Sequence, residues 1–209
     1  MDFAVQDDLL FVLKKVGSFL IFAAIVSAFQ LLLFIDVRFL HDSVNEISLT
    51  EISQEIILFA IVVLHLWLIR VPAHRAVNVL VGGFFTCLLV REMDFAFDVI
   101  QYGSWFWVAM AVCVLCVAVA ALDYRRTLAG LADYFRHPGY GLVCAGLLTV
   151  LVFSRLMGMG GLWQALLQDA YVRTVKNAVE EGGELFGYVL CLLGTLLYML
   201  DKRNMSRPD

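Results

Sequence analysis

Apolar residues along the chain gather into six long stretches, approximately 16–35, 51–69, 77–98, 104–122, 139–157 and 180–200. Each approaches the roughly 20 mostly apolar residues that a helix needs to cross a bilayer. The breaks between them are polar: "DVRFLHDSVNEISLT", "RVPAHRA", "DVIQYG", "DYRRTLAGLADYFRHP" and "SRLMGMGG". Pro72 and Pro138 stand at boundaries, where a residue without an amide proton interrupts helices. "SLTE", Ser48 to Glu51, has the spacing of a capping box and predicts the start of the second helix. The segment 161–178, "GLWQALLQDAYVRTVKNA", spaces Trp163, Leu166, Leu167, Ala170 and Val175 at helical intervals among polar residues. This predicts an amphipathic interfacial helix before the last span, an anchor in the interface or a lid over a site. The expected fold is therefore all-α: a polytopic membrane protein with a bundle of about six transmembrane helices, residues 1–209 forming one membrane domain.

Composition supports this pattern. Of 209 residues, 62% are hydrophobic, and the mean hydropathy is +0.85. Soluble domains average about 45–50% apolar residues. The mild net charge of −4 argues against a nucleic-acid partner, which requires a basic patch. The lipid bilayer is the expected partner instead. Asp2, Asp7 and Asp8 precede Lys14 and Lys15, the wrong order of charge for a cleaved signal peptide, so the first apolar stretch is expected to be retained. Cys87, Cys113, Cys116, Cys144 and Cys191 all fall inside apolar runs. They read as small hydrophobic packing residues, not as a disulfide framework. "CVLC" lies mid-helix, away from the exposed position that a redox pair wants.

The distribution of charge predicts an orientation. With the N-terminus inside, the inner side receives Lys14, Lys15, Arg70, Arg75, Arg125, Arg126, Arg136, Lys202, Arg203 and Arg207. The outer side receives Arg38, Arg91, Arg155, Arg173 and Lys176. Ten against five follows the positive-inside rule. This predicts both termini in the cytoplasm, and a plasma membrane, in bacteria the inner membrane, is the expected location. Acids show the opposite bias. Asp36, Asp42, Glu46, Glu51, Glu55, Glu92, Asp94, Asp98, Asp169, Glu180, Glu181 and Glu184 fall outside.

Three acidic groups thus share one face. "EISQE" puts Glu51 and Glu55 four residues apart, on one side of a helix. "REMDFAFD" puts Arg91, Asp94 and Asp98 on another, with Glu92 turned towards a neighbour. "EEGGE" opens the last span with Glu180, Glu181 and Glu184, and Arg155 is the nearest candidate cation. Much of this charge has an ordinary explanation. Acids favour helix N-termini by roughly 0.3–1 kcal/mol each, charged tips reach the interface, and Lys176 can pair with Glu180 along its own helix. Glu55, Glu92 and Glu184 are different, because ionisable groups within spans are costly and mark function. The candidate binding or proton-relay set is Glu55, Glu92, Asp94, Glu181, Glu184, Arg91 and Arg155. Its oxygen ligands suit hard cations rather than zinc or copper. Glu180, at the helix start, is expected to be satisfied by water and the helix dipole.

The remaining chemistry is sparse. His65, alone among the histidines, lies in a span, and it reads as packed or anchored at the interface beside Trp67. No Glu-x-x-His pair, serine-hydrolase elbow, or phosphate- or dinucleotide-binding glycine pattern occurs, so no cofactor and no catalytic residue is predicted. Gly183 and Gly187 allow close approach of another helix, internally or in a homo-oligomer. Two functions follow. One is a small transporter or channel for a cation or protons that uses the outer carboxylates. The other is a non-catalytic interaction or sensor subunit whose charges are structural. A lipid-acting enzyme ranks third. The inner half of each span is almost bare of ionisable groups except His65, which weighs against a transport path.

Overall fold

The computed structural model describes residues 3–40 and 48–205, and among these the chain is helical with no strand. Asp2, His41, Asp42, Glu46, Arg207 and Asp209 lie outside the described residues. The first helix, α1 (Phe3–Ile35), starts well before position 16, because the polar residues ahead of the apolar run continue the same helix. It passes into a π-helical turn, Asp36–Leu40. There follow α2 (Leu49–Leu68), α3 (Arg75–Glu92), a short α4 (Asp94–Asp98) and α5 (Ser104–Leu122). Next come α6 (Tyr124–Arg136), α7 (Pro138–Leu148) with a π-helical extension Thr149–Ser154, α8 (Arg155–Met157) and α9 (Gly160–Leu167). The chain closes with α10 (Arg173–Met205).

Five helical stretches are long and apolar enough to cross a membrane: Val5–Leu40, Leu49–Leu68, Ser104–Leu122, Pro138–Met157 and Arg173–Asp201. The expected third span differs. Its helix stops at Glu92 after 18 residues, shorter than each of those five, and carries Arg75, Arg91 and Glu92 at its two ends. Exposure follows apolarity in an unusual sense: Phe19, Leu115 and Leu122 are among many large apolar side chains on the surface. A water-soluble monomer rarely shows contiguous apolar patches beyond a few hundred Å².

Two expectations about the connections are corrected. Residues 161–178 do not form one amphipathic helix. Gln168 takes a positive φ of 47°, which ends α9. Arg173 then starts α10, so residues 173–178 are the first turns of the last helix. Conversely, "DYRRTLAGLADYF" is a helix, α6, rather than a loop. Asp123 caps it by accepting from the Arg126 amide at 3.2 Å, and Tyr134 and Thr127 bury its apolar side.

At the start of α2, Ser48 Oγ accepts from the Glu51 amide at 3.2 Å, as the capping pattern predicts. Asp36 adds a second cap that is not apparent from local spacing. Fully buried, it accepts from the amides of Leu49 (3.0 Å) and Thr50 (2.8 Å) and from the Thr50 hydroxyl (2.6 Å). Up to four amides at a helix start lack intrahelical partners, and one carboxylate here satisfies two of them.

The centre of the bundle is α10. It packs on α7, α2, the π-helical segment and α1, around a core of Leu58, Ile61, Phe85, Val150, Leu185 and Val189. Its contact with α7 is backbone against backbone. A Cβ at Gly139 would lie 2.5 Å from the Gly194 carbonyl oxygen, and one at Gly187 would lie 2.7 Å from that of Gly146. Gly187 therefore makes an internal contact, while Gly183 lies beside Phe153 and Ser154. Overpacking costs about 1–3 kcal/mol where neighbours can move, and backbone cannot easily do so. Gly146→Val and Gly194→Val should each destabilise by about that range or more. Gly141→Ala, where nothing lies within 4 Å, should be nearly neutral. Thermal unfolding in detergent, followed by circular dichroism, reads the difference.

Candidate functional site

At the end of the bundle where α2 and α10 begin and α3 finishes, a polar cavity of about 210 Å³ opens. Its lining is Glu51 of α2, Arg91 and Glu92 of α3, Asp94 and Phe95 of α4, Arg155 of α8, and Glu180, Glu181 and Glu184 of α10. The structure thus brings together six of the seven candidate residues: Glu92, Asp94, Glu181, Glu184, Arg91 and Arg155. The seventh, Glu55, is half-buried but outside this lining, and Glu51, one turn earlier on the same face, takes its place.

Local structure positions each group. Met93 breaks the helix, with φ −88° and ψ 21°, so Arg91 and Asp94 do not share one helix face as their spacing suggested. Asp94 opens α4 instead. Asp98 belongs to the following turn, where it accepts from the Gly103 amide at 2.8 Å. Gly103 has a φ of +76°, in the left-handed region where glycine carries no Cβ penalty. Opposite, the π-helical segment at the end of the fifth apolar stretch brings Arg155 to the cavity wall and Ser154 against Glu184 behind it. Single π turns inside helices recur at functional sites because they re-aim the residues that follow.

Glu184 is the anchor. Its side chain is 2% exposed. It pairs with Arg155, lies 3.9 Å from Arg91, and accepts from the Ser154 hydroxyl at 3.2 Å. Glu92 pairs with Arg91 and accepts from the Tyr188 hydroxyl at 2.5 Å. Glu180 is not left to water. Lys176 reaches it at 2.8 Å and Arg155 at 3.7 Å. Glu181 differs from these three. Among the described residues it makes no ion pair, and its carboxylate accepts from the Gln54 amide at 3.1 Å. The same amide also reaches the Glu181 carbonyl at 3.1 Å, which ties α2 to α10.

Six carboxylates and two guanidinium groups line the cavity. Negative charge dominates, so the cavity attracts protons and cations and repels anions. Among the described residues no three His, Cys, Asp or Glu side chains are grouped as a metal-binding set. Reading by residue type overlooked Gln54, Tyr188 and Ser154. A signal for Tyr188 was present: Glu181, Glu184 and Tyr188 follow one another at spacings of three and four, the mark of one helix face.

Elsewhere, Cys87, Cys113 and Cys116 line an apolar groove between α3 and α5, with Arg91 and Trp105 also in its lining. Cys116 packs against Gly83, and Cys87 donates to the Ala109 carbonyl at 3.3 Å. All five cysteines are free thiols. Compared with protein-family models, with curated proteins and with solved structures, the chain matches none.

The two partners of the central ion pair differ in environment, which predicts an asymmetry. Arg155 is 43% exposed and Glu184 is 2% exposed. Arg155→Ala strands a buried carboxylate with only Ser154 and a more distant Arg91. It should cost about 2–4 kcal/mol, towards the range for breaking a buried pair. Glu184→Gln leaves an arginine that water can reach, and about 1–2 kcal/mol is expected. Glu180→Gln should cost about 0.3–1 kcal/mol. A double-mutant cycle on unfolding free energies must give a coupling well above zero for Glu184 and Arg155; additive effects would exclude the pair.

Proposed function

We propose that this is a multi-pass membrane protein that binds and conducts protons or a small cation, with the acidic cavity as its external binding site. The membrane setting is supported by the five long apolar helices and the apolar surface they expose. A six-span count follows if α3 crosses too. It packs between α2 and α5, both of spanning length, and at 1.5 Å per residue its 18 residues extend about 27 Å. The excess of Lys and Arg at the other end supports an orientation with the acidic end outside and both termini in the cytoplasm.

The observation that carries the functional reading is the divided labour of the carboxylates. Glu92, Glu180 and Glu184 are committed to arginine or lysine partners. Glu181 is held by a neutral amide inside the same cavity. A carboxyl group oriented by an amide and surrounded by further negative charge can take up and release a proton or cation without dismantling an ion pair. The committed residues form the frame, and Glu181 is the exchangeable ligand.

A second reading has its own support. Most of the charge is internally paired, and the apolar core of Leu58, Ile61, Phe85 and Val189 separates the cavity from the other end of the bundle. An interaction or sensor subunit would need only the frame. Reconstitution in liposomes with an internal pH dye separates the two. On the transport reading, an imposed pH or cation gradient produces flux, and Glu181→Gln abolishes it while the unfolding temperature stays the same. If wild-type protein gives no flux above protein-free liposomes, the second reading holds. Topology is tested independently by a C-terminal reporter that is active only outside the cytoplasm, which should be silent.

A further inference from the structure

A second polar centre lies at the opposite end of the bundle, and none of its groups takes part in the acidic cavity. His65 on α2 is completely buried. Its ring stacks on Phe85 at 6.1 Å between centroids and meets Tyr134 edge-on at 6.4 Å. Tyr198 lies on a further side at 6.5 Å. Gly82 makes the approach of α3 possible: a Cβ there would lie 3.0 Å from that of His65.

The hydrogen bonds around His65 assign its protons. Asn78 Nδ2 donates to the His74 carbonyl at 2.8 Å. That fixes the amide so that its oxygen faces the imidazole, 2.7 Å from His65 Nδ1. An amide oxygen only accepts, so Nδ1 carries the hydrogen. In the neutral ring the lone pair is then on Nε2. Among the described residues Nε2 has no hydrogen-bond partner, and neither do the Tyr134 hydroxyl or the Thr195 hydroxyl, all of them buried.

These three atoms come from three helices that meet here. Rings of His65 and Tyr134 are in contact, and Tyr134 touches Tyr198 at 4.9 Å. Gln54 of α2 bonds Glu181 of α10, and both helices run inward from the acidic end. Counting on from that contact at equal rise brings His65 level with position 192. Thr195 is within one turn of that level, on the face that carries Tyr188 and Tyr198. A buried acceptor beside two buried donors is the arrangement that retains an internal water, which makes about three hydrogen bonds in such sites. Left unmade, each bond costs about 1–3 kcal/mol.

We propose that His65 Nε2, the Tyr134 hydroxyl and the Thr195 hydroxyl jointly bind a water molecule, forming a hydrated imidazole at the end of the bundle opposite the acidic cavity. The water donates to Nε2 and accepts from the two hydroxyls. A basic nitrogen in contact with water is a proton acceptor. Further polar groups lie between this centre and the surface. Tyr198 contacts His137 ring to ring at 5.3 Å, and His137 Nε2 is 3.5 Å from the exposed Asp201 carboxylate. This assignment is independent of what the acidic cavity binds.

The test is solid-state NMR on the full chain in lipid bilayers, with nitrogen-15 in histidine. A variant with His41, His74 and His137 replaced by Asn leaves His65 as the only histidine. Expected is a neutral ring protonated at Nδ1, with magnetisation passing from water to Nε2. Thr195→Val and Tyr134→Phe each preserve shape while removing a hydroxyl, and at least one should abolish that transfer. Hydrogen on Nε2, absence of water transfer, or transfer unchanged in both variants would overturn the proposal. The first two readouts need no substitution at the site itself, so a variant that fails to fold does not block the decision.

Discussion

Where α7 and α10 cross, the carbonyl oxygen of Gly194 lies where a side chain of residue 139 would begin, and that of Gly146 does the same for residue 187. No larger residue fits at these positions without moving backbone. The close approach sets the distance at which everything else is arranged. It brings the π-helical segment after α7 against the first half of α10, so that Ser154 and Arg155 meet Glu184. It also leaves the other side of α10 to α2, where Gln54 reaches Glu181. Packing of small residues is how helices associate where surrounding lipid removes the hydrophobic driving force.

On this frame the acidic end divides into charges that hold and one that is held lightly. Glu184 costs the most to bury and is surrounded by two guanidinium groups and a hydroxyl. Glu92 is fixed by Arg91 and Tyr188. Glu181 has an amide. Reliance on polar contacts repeats at the other end, where Asn78 orients His65. Between the two lies an apolar core, crossed on α10 by a single line of polar groups: Glu181, Glu184, Tyr188, Cys191, Thr195 and Tyr198.

Length and apolarity made the main helices legible, since a long apolar run has few alternatives to a helix. Grouping of acids at one end was also legible, because connectivity alone carries α2, α3 and α10 there. Contacts between distant positions were not. Nothing near Asp36 indicates that it caps a helix starting at Leu49, and the use of Gln54 depends on which helix lies opposite. Helix α6 escaped notice because its 13 residues are too few to span and mix arginines with tyrosine and leucine. The break at Met93 carries no proline or glycine, so spacing alone continues the face of Arg91 through Asp94 and Asp98. Glu55 and Glu51 are equivalent by spacing, and only depth relative to the neighbouring helices selects Glu51.

The glycines of α10 have a mechanical consequence. Gly187 and Gly194 are seven residues apart, the same interval that separates Gly139 from Gly146. A slide of α10 along its axis by one turn would drive larger side chains into facing carbonyl oxygens and carry Glu184 away from Arg155. The last helix is therefore keyed against axial displacement and cannot act as a piston. Rearrangement at the cavity must come from side chains or from the stretch running from Arg155 through α9 to Arg173, which is joined to the bundle by fewer contacts. Trp163, which donates to the Met157 carbonyl at 2.5 Å, latches that stretch on itself.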